Sequence, residues 1–187
     1  DSFWENQDLI INAVDNVITE KYQFQSMSFA EAKLNDGQRL LAFNDLFIGV
    51  DSHVSARYNI SYNHKTEEQS SSGLLVSTKA GSTGWLSSVF NMAYGITGMF
   101  EKNIQLKRPT LNENDLLFAV REPFQSIRTQ TGITAGLLKK QQTLTIESLM
   151  PTNGIIFSDG VETDFLKFNS GTIATIGLAN EKAKLVI

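Results

Sequence analysis

Between Val54 and Tyr62 apolar and polar residues alternate without a break. Val54, Ala56, Tyr58, Ile60 and Tyr62 share one side; Ser55, Arg57, Asn59 and Ser61 share the other. A period of two is that of a half-buried strand. An extended region begins at Tyr22, Phe24 and Ser26, and the turn Asn35-Asp36-Gly37 precedes two apolar runs, Leu40-Leu41-Ala42 and Leu46-Phe47-Ile48. Further strands are predicted over residues 116–120, 133–138, 143–149, 154–157, 161–168, 172–179 and 185–187, with hairpin turns at Ser158-Asp159-Gly160 and Asn169-Ser170-Gly171. Two stretches carry a helical period instead. Leu9, Ala13 and Val17, flanked by Ile10, Val14 and Ile18, predict a helix over residues 4–22, capped by Asp1 or Ser2. Trp85, Val89, Ala93 and Ile96 predict a second over residues 82–95. Many short strands spaced by turn residues indicate a mainly β chain, a β-sandwich-like stack of sheets with one helix at the N-terminus and one after a Gly-Ser-Thr turn.

Composition narrows the function classes. The chain has 187 residues, one domain's worth, and 41% are hydrophobic, enough for a core. A net charge of −4 argues against nucleic acid or an anionic membrane as the main partner, while leaving room for a phosphorylated ligand held by local positive charge. With no cysteine, disulfides, thiol catalysis and thiolate metal sites are excluded. No signal peptide and no apolar run of membrane-spanning length is visible, and a cytoplasmic location is expected.

The densest local signal is the run from Ser71 to Trp85. Leu74-Leu75-Val76 suits a strand covered on both faces. Lys79-Ala80-Gly81-Ser82-Thr83 suits a helix start, where free backbone N–H groups and short hydroxyls meet an anion or a polar ligand edge. Spacing alone leaves a purely structural turn equally open, with Ser82 or Thr83 as helix cap.

This run resembles the second signature of the NAD kinase family, D-G-[LI]-x-V-[SA]-T-P-T-G-S-T-A-Y. Gly73, Leu74, Val76, Ser77, Thr78, Gly81, Ser82 and Thr83 match in order and spacing. Ser72 replaces Asp, Lys79 replaces Pro, Ala80 replaces Thr or Ser, Gly84 replaces Ala and Trp85 replaces Tyr. The family's Asn-Glu block resembles Asn44-Asp45, and a late Asp-Gly turn resembles Asp159-Gly160. The family has an α/β domain with a Gly-Gly-Asp-Gly loop, whose Asp activates the acceptor hydroxyl, and a β-rich domain carrying the blocks found here. This chain has no Gly-Gly-Asp-Gly run. The resemblance therefore implies the second domain alone, with residues 1–22 as the linking helix, residues 23–187 as the β-rich domain, and the N-terminal α/β domain as a missing partner. The start at Asp1 without Met points the same way.

The resemblance also implies an activity: transfer of a phosphoryl group to the 2′-hydroxyl of NAD, giving NADP, with ATP and Mg²⁺ as co-substrates of the intact protein and self-association as the default. The isolated chain is expected to bind NAD weakly if at all and to turn nothing over. A related kinase acting on a sugar or another alcohol, and a non-catalytic nucleotide-binding or oligomerisation module, remain alternatives. The implied substrate-binding residues are Asn44, Asp45, Ser72, Gly73, Ala80, Gly81, Ser82, Thr83, Trp85 and Ser88; no catalytic residue and no metal ligand is assigned. Each has a plainer reading. Asn44 and Asp45 suit a bulge or turn; Trp85 suits a core anchor; Lys79 suits a solvated turn. Glu67 and Glu68 could replace the missing carboxylate at Ser72 or form a solvated face. Arg57 and Arg121 could face phosphate or form surface ion pairs. Asp159, Glu162 and Asp164 resemble a cation site only by count.

Overall fold

The computed structural model describes residues 7–100 and 107–186. Twelve strands form two antiparallel six-stranded sheets, confirming the mainly β stack. The first has the order β2(Arg39–Ala42), β1(Phe24–Leu34), β12(Ile173–Val186), β9(Leu144–Ser148), β4(Ala56–Tyr62), β5(Lys65–Ser71). The second has the order β11(Val161–Lys167), β10(Gly154–Ser158), β3(Asp45–Val50), β6(Leu74–Ser77), β7(Leu116–Val120), β8(Ala135–Leu138). Alternate residues of the two sheets meet in one core. Ala30, Tyr58, Ile60, Ile146 and Ile176 come from the first; Leu46, Ile48, Leu74, Val76, Phe118 and Ile156 come from the second. Each fully buried aliphatic side chain contributes about 1.5–3 kcal/mol relative to exposure.

The outer face of the second sheet is itself apolar, which is why β6 is buried along its whole length. Helix α2(Trp85–Phe100) covers part of it: Leu86, Val89 and Phe90 pack with Leu75, Leu111, Leu117 and Ala119. Beside them Phe47, Ile155 and Phe157 form a second cluster under Trp85.

Several sequence expectations are corrected. The first helix, α1(Gln7–Ile18), ends four residues early; the expected start and its cap at Asp1 or Ser2 lie outside the described residues. The second helix begins at Trp85, because Gly81–Thr83 form a 3₁₀ turn first, and runs on to Phe100. Its packing stripe includes Leu86 and Phe90, whereas Ile96 points to solvent. Val54 is exposed and precedes β4. The strands expected at 172–179 and 185–187 merge into one strand, β12, because its polar middle pairs with β1 at Met27 and Ser28; Ile187 lies outside the described residues. The strand β5 was not anticipated. Its inward residues Glu67, Gln69 and Ser71 are polar yet buried. Tyr58 Oη donates to Gln69 Oε1 (3.1 Å) and lies 2.7 Å from Ser71 Oγ; Gln69 Nε2 donates to the Ile133 carbonyl (2.8 Å).

Candidate functional site

Three segments distant in sequence meet where β3 begins and β6 ends. Asp45 and Ser77 pair directly across the ladder, and both lie on the outer face. The chain then leaves β6 at Thr78, whose N–H donates to the Asn44 carbonyl (2.9 Å) and whose hydroxyl donates to the Phe43 carbonyl (2.6 Å). The same hydroxyl accepts from the Gly81 N–H at 3.3 Å, so one threonine ties the Phe43-Asn44 backbone to the 3₁₀ turn. Gly81 is buried against this junction: a Cβ there would collide with the Asn44 carbonyl oxygen and lie 2.7 Å from Asp45 Oδ1. Only glycine fits so close a backbone approach.

The third segment is the β10–β11 hairpin. Asp159 and Gly160 both have positive φ, 53° and 74°, the geometry of a tight two-residue hairpin turn. The Asp159 carboxylate accepts from the backbone N–H groups of Phe43 (2.9 Å), Asn44 (2.6 Å) and Asp45 (3.1 Å), and its own N–H donates to the Asp45 carbonyl (2.9 Å). One carboxylate therefore holds the backbone of the whole Asn44-Asp45 corner. That employment takes Asp159 out of any cation site with Asp164; among the described residues no group of three metal-ligating side chains converges.

Asp45 is the group under electrostatic stress. Its Oδ1 is buried with no hydrogen-bond partner among the described residues. Burial pushes its pKa up to about 6, the Ser77 hydroxyl opposes that rise, and the nearby Asp159 charge adds to it. The Ser77 hydroxyl gives its one proton to the Thr78 carbonyl (3.2 Å), so its proximity tempers the rise without pairing Oδ1. A half-buried carboxyl beside a glycine-walled turn is suited to accept from a hydroxyl or amide of a bound molecule.

The turn itself corrects two expectations. Three of its N–H groups are engaged internally: Gly81 N–H with Thr78, Ser82 N–H with the Lys79 carbonyl (3.3 Å), Gly84 N–H with the Gly81 carbonyl (2.9 Å). It offers side chains and shape rather than a row of free donors. Neither Ser82 nor Thr83 caps the helix; Ser82 Oγ donates to the Lys79 carbonyl at 2.7 Å. Lys79 does not face an open phosphate position, since its Nζ lies 2.6 Å from Glu113 Oε1. Glu67 cannot stand in for a carboxylate at Ser72: it is buried and accepts from the Ile133 and Gly132 N–H groups at 2.8 and 3.2 Å. Glu68 pairs with Arg57 at 2.9 Å.

The expected binding residues thus fall into two groups. Asn44, Asp45, Ala80, Gly81, Ser82 and Thr83 gather at the β3–β6 corner, with Ser88 exposed on the helix just beyond. Ser72 and Gly73 lie at the other end of β6, about 16 Å along the strand from Ser77 at ~3.3 Å per residue. Trp85 lies between, stacked on Phe47 with ring centroids 5.5 Å apart and 9° between planes, and Arg121 sits 5.3 Å from its centroid. Trp85 is therefore a half-buried anchor of the helix on the sheet. The sequence marks Thr78 only as a matched signature position and Phe47 only as part of an apolar run, with no role for either. Thr78 is hidden because its role is toward backbone; Phe47 had one legible trace, glycines at 49 and 73 where any Cβ would strike its ring.

No family model and no curated protein matches this sequence. Among solved structures, yeast NADH kinase complexed with NADH superposes with a TM-score of 0.66 at 13% sequence identity. The match covers 97% of this chain and 48% of that one, so this chain spans about half the kinase's length. The fold is NAD kinase-like. The likeness extends through both NAD kinase-like sheets, and the resemblance of the Asn44 and Gly81 blocks falls on residues this fold places side by side.

Proposed function

We propose that this chain is the acceptor-binding unit of an NAD kinase-like phosphotransferase, which in the intact protein phosphorylates the 2′-hydroxyl of NAD to give NADP. The observation that supports it is the junction of Asn44-Asp45 with Thr78–Gly81 under the Asp159 carboxylate, two resembling blocks joined by direct hydrogen bonds. In this reading Asn44, which can both donate and accept, and Asp45 read ribose hydroxyls, while Ala80, Gly81, Ser82 and Thr83 shape the wall beside the base. Trp85 contributes the edge of that wall from its place on Phe47, and Ser88 its rim. Ser72 and Gly73, at the far end of β6, reach a dinucleotide only through its length or through a second copy of the chain.

The donor, ATP with Mg²⁺, belongs to the intact protein. Phosphoryl transfer needs a donor pocket, a cation and a group that orients the attacking hydroxyl. We assign these to an N-terminal α/β domain in the intact, cytoplasmic and self-associating protein. The test is to incubate this chain with NAD, NADH and simple sugars, measure binding, then add ATP and Mg²⁺ and assay for NADP. Weak saturable dinucleotide binding, reduced at least fivefold by Asn44→Ala, with no turnover is expected. Sugar binding without dinucleotide binding supports the related sugar kinase instead, and turnover by this chain alone contradicts the two-domain assignment.

A further inference from the structure

At the end of β6 away from Asn44 the outer face of the second sheet opens into a hollow. Its narrower part, about 290 Å³, is lined by Ser52, His53, Ser55, Ser72 and Arg121, with Phe47, Val50 and Val54 as its apolar wall. Its wider part, about 440 Å³, shares Phe47, Ser52, His53 and Arg121 and adds Trp85, Ile155, Phe157 and Asp51. One end is thus polar and the other aromatic.

The polar end has a fixed cation. Ser72 and Arg121 are locked side by side: Ser72 N–H donates to the Arg121 carbonyl (2.9 Å) and Arg121 N–H to the Gly73 carbonyl (2.8 Å). The guanidinium lies over the Trp85 ring, 5.3 Å from its centroid, and a guanidinium held by an aromatic face still has planar N–H donors to offer an acceptor. Among the described residues its ion-pair partner is loosely placed, Glu122 Oε2 at 3.7 Å from Nη2. Arg39 and Arg57, by contrast, hold carboxylate oxygens at 2.6 and 2.9 Å. Glu122 also adopts φ = 43°, a left-handed conformation uncommon before proline, at the point where the chain leaves Arg121. The narrow part has three hydroxyls, an imidazole and a guanidinium around it and no carboxylate in its wall. That is the donor-rich chemistry of an oxyanion site.

We propose that this hollow binds a small phosphate monoester carried on a flat ring, the phosphate on Arg121 and the Ser52, Ser55 and Ser72 hydroxyls, the ring against the edges of Phe47, Trp85 and Phe157. The proposal shares Ser72 and Trp85 with the acceptor-binding reading but does not rest on it: Asn44 lies at the opposite end of β6, so shifts at Ser72, Arg121 and His53 report this hollow and shifts at Phe43–Asp45 report the other. Phenyl phosphate, phenol and inorganic phosphate are the probes, titrated into ¹⁵N-labelled chain and followed by amide shifts. Phenyl phosphate is expected to bind saturably and move the Ser72, Arg121 and His53 amides, with phenol and inorganic phosphate each at least tenfold weaker. Arg121→Gln removes the preference over phenol. Ser72→Asp, an exposed change that sets a carboxylate beside the guanidinium, does the same and serves if the arginine variant fails to fold. Absence of saturable binding, equal affinity for phenol, or full affinity in the folded variants overturns the phosphate site; equal affinity for inorganic phosphate overturns the ring half.

Discussion

Asp45 carries the sharpest residue-scale prediction, because burial opposes its charge while no group among the described residues hydrogen-bonds Oδ1. Its folded pKa, about 6, lies above the ordinary 3.8, so the native state binds more protons than the unfolded state between those values. The sign is fixed: the group costs nothing below pH 4, and stability falls as pH rises through 6. Solvent access to a half-buried carboxyl discounts the full shift, leaving a loss of about 1–2 kcal/mol. Denaturant titrations from pH 4 to 7 should show that loss in the native chain and a flatter profile in Asp45→Asn. Asp159→Asn should lower the Asp45 titration midpoint by removing the neighbouring charge. It should also cost about 1–2 kcal/mol through weakened bonds to the Phe43, Asn44 and Asp45 N–H groups. An unchanged midpoint in that variant would show that the two carboxylates do not interact.

At the scale of elements, β5 depends on its partners rather than on its own pattern. Glu67 accepts from Gln69 Nε2 (2.5 Å) and from the Gly132 and Ile133 N–H groups, so this inward carboxylate holds the segment leading into β8. Glu67→Gln should destabilise the fold by about 1–3 kcal/mol and speed hydrogen exchange at the Gly132 and Ile133 amides, read by mass spectrometry or NMR. The same strand shows where sequence reading stops. Lys65-Thr66-Glu67-Glu68-Gln69-Ser70-Ser71 contains no apolar residue, so its inward face is invisible until Tyr58 and the Ile133 carbonyl are seen to satisfy it. The alternation in β4 and the apolar β6 and β7 were legible because their burial is hydrophobic. The helix start was misplaced because Gly81-Ser82-Thr83 looks the same as a cap or as a 3₁₀ turn; the collision a Cβ would make with Asn44 decides between them, and it lies across the sheet.

The whole molecule presents two ends of one sheet face. Near Asn44 the backbone is tied by Thr78 and Asp159 into a rigid corner; near Ser72 a stacked arginine borders an open hollow. The resemblance gathered both ends into a single set of binding residues, since the signature is continuous in sequence. A strand separates them in space. With about half the length of yeast NADH kinase, the chain has the fold that surrounds the corner. The acceptor-binding account stands on that corner, and an amide-resolved titration of the ¹⁵N-labelled chain with NADH tests it most directly. The account predicts saturable shifts concentrated at Phe43–Asp45 and Thr78–Thr83, weakened at least fivefold by Asn44→Ala. Saturable shifts confined to other surfaces, or none at millimolar NADH, would contradict it.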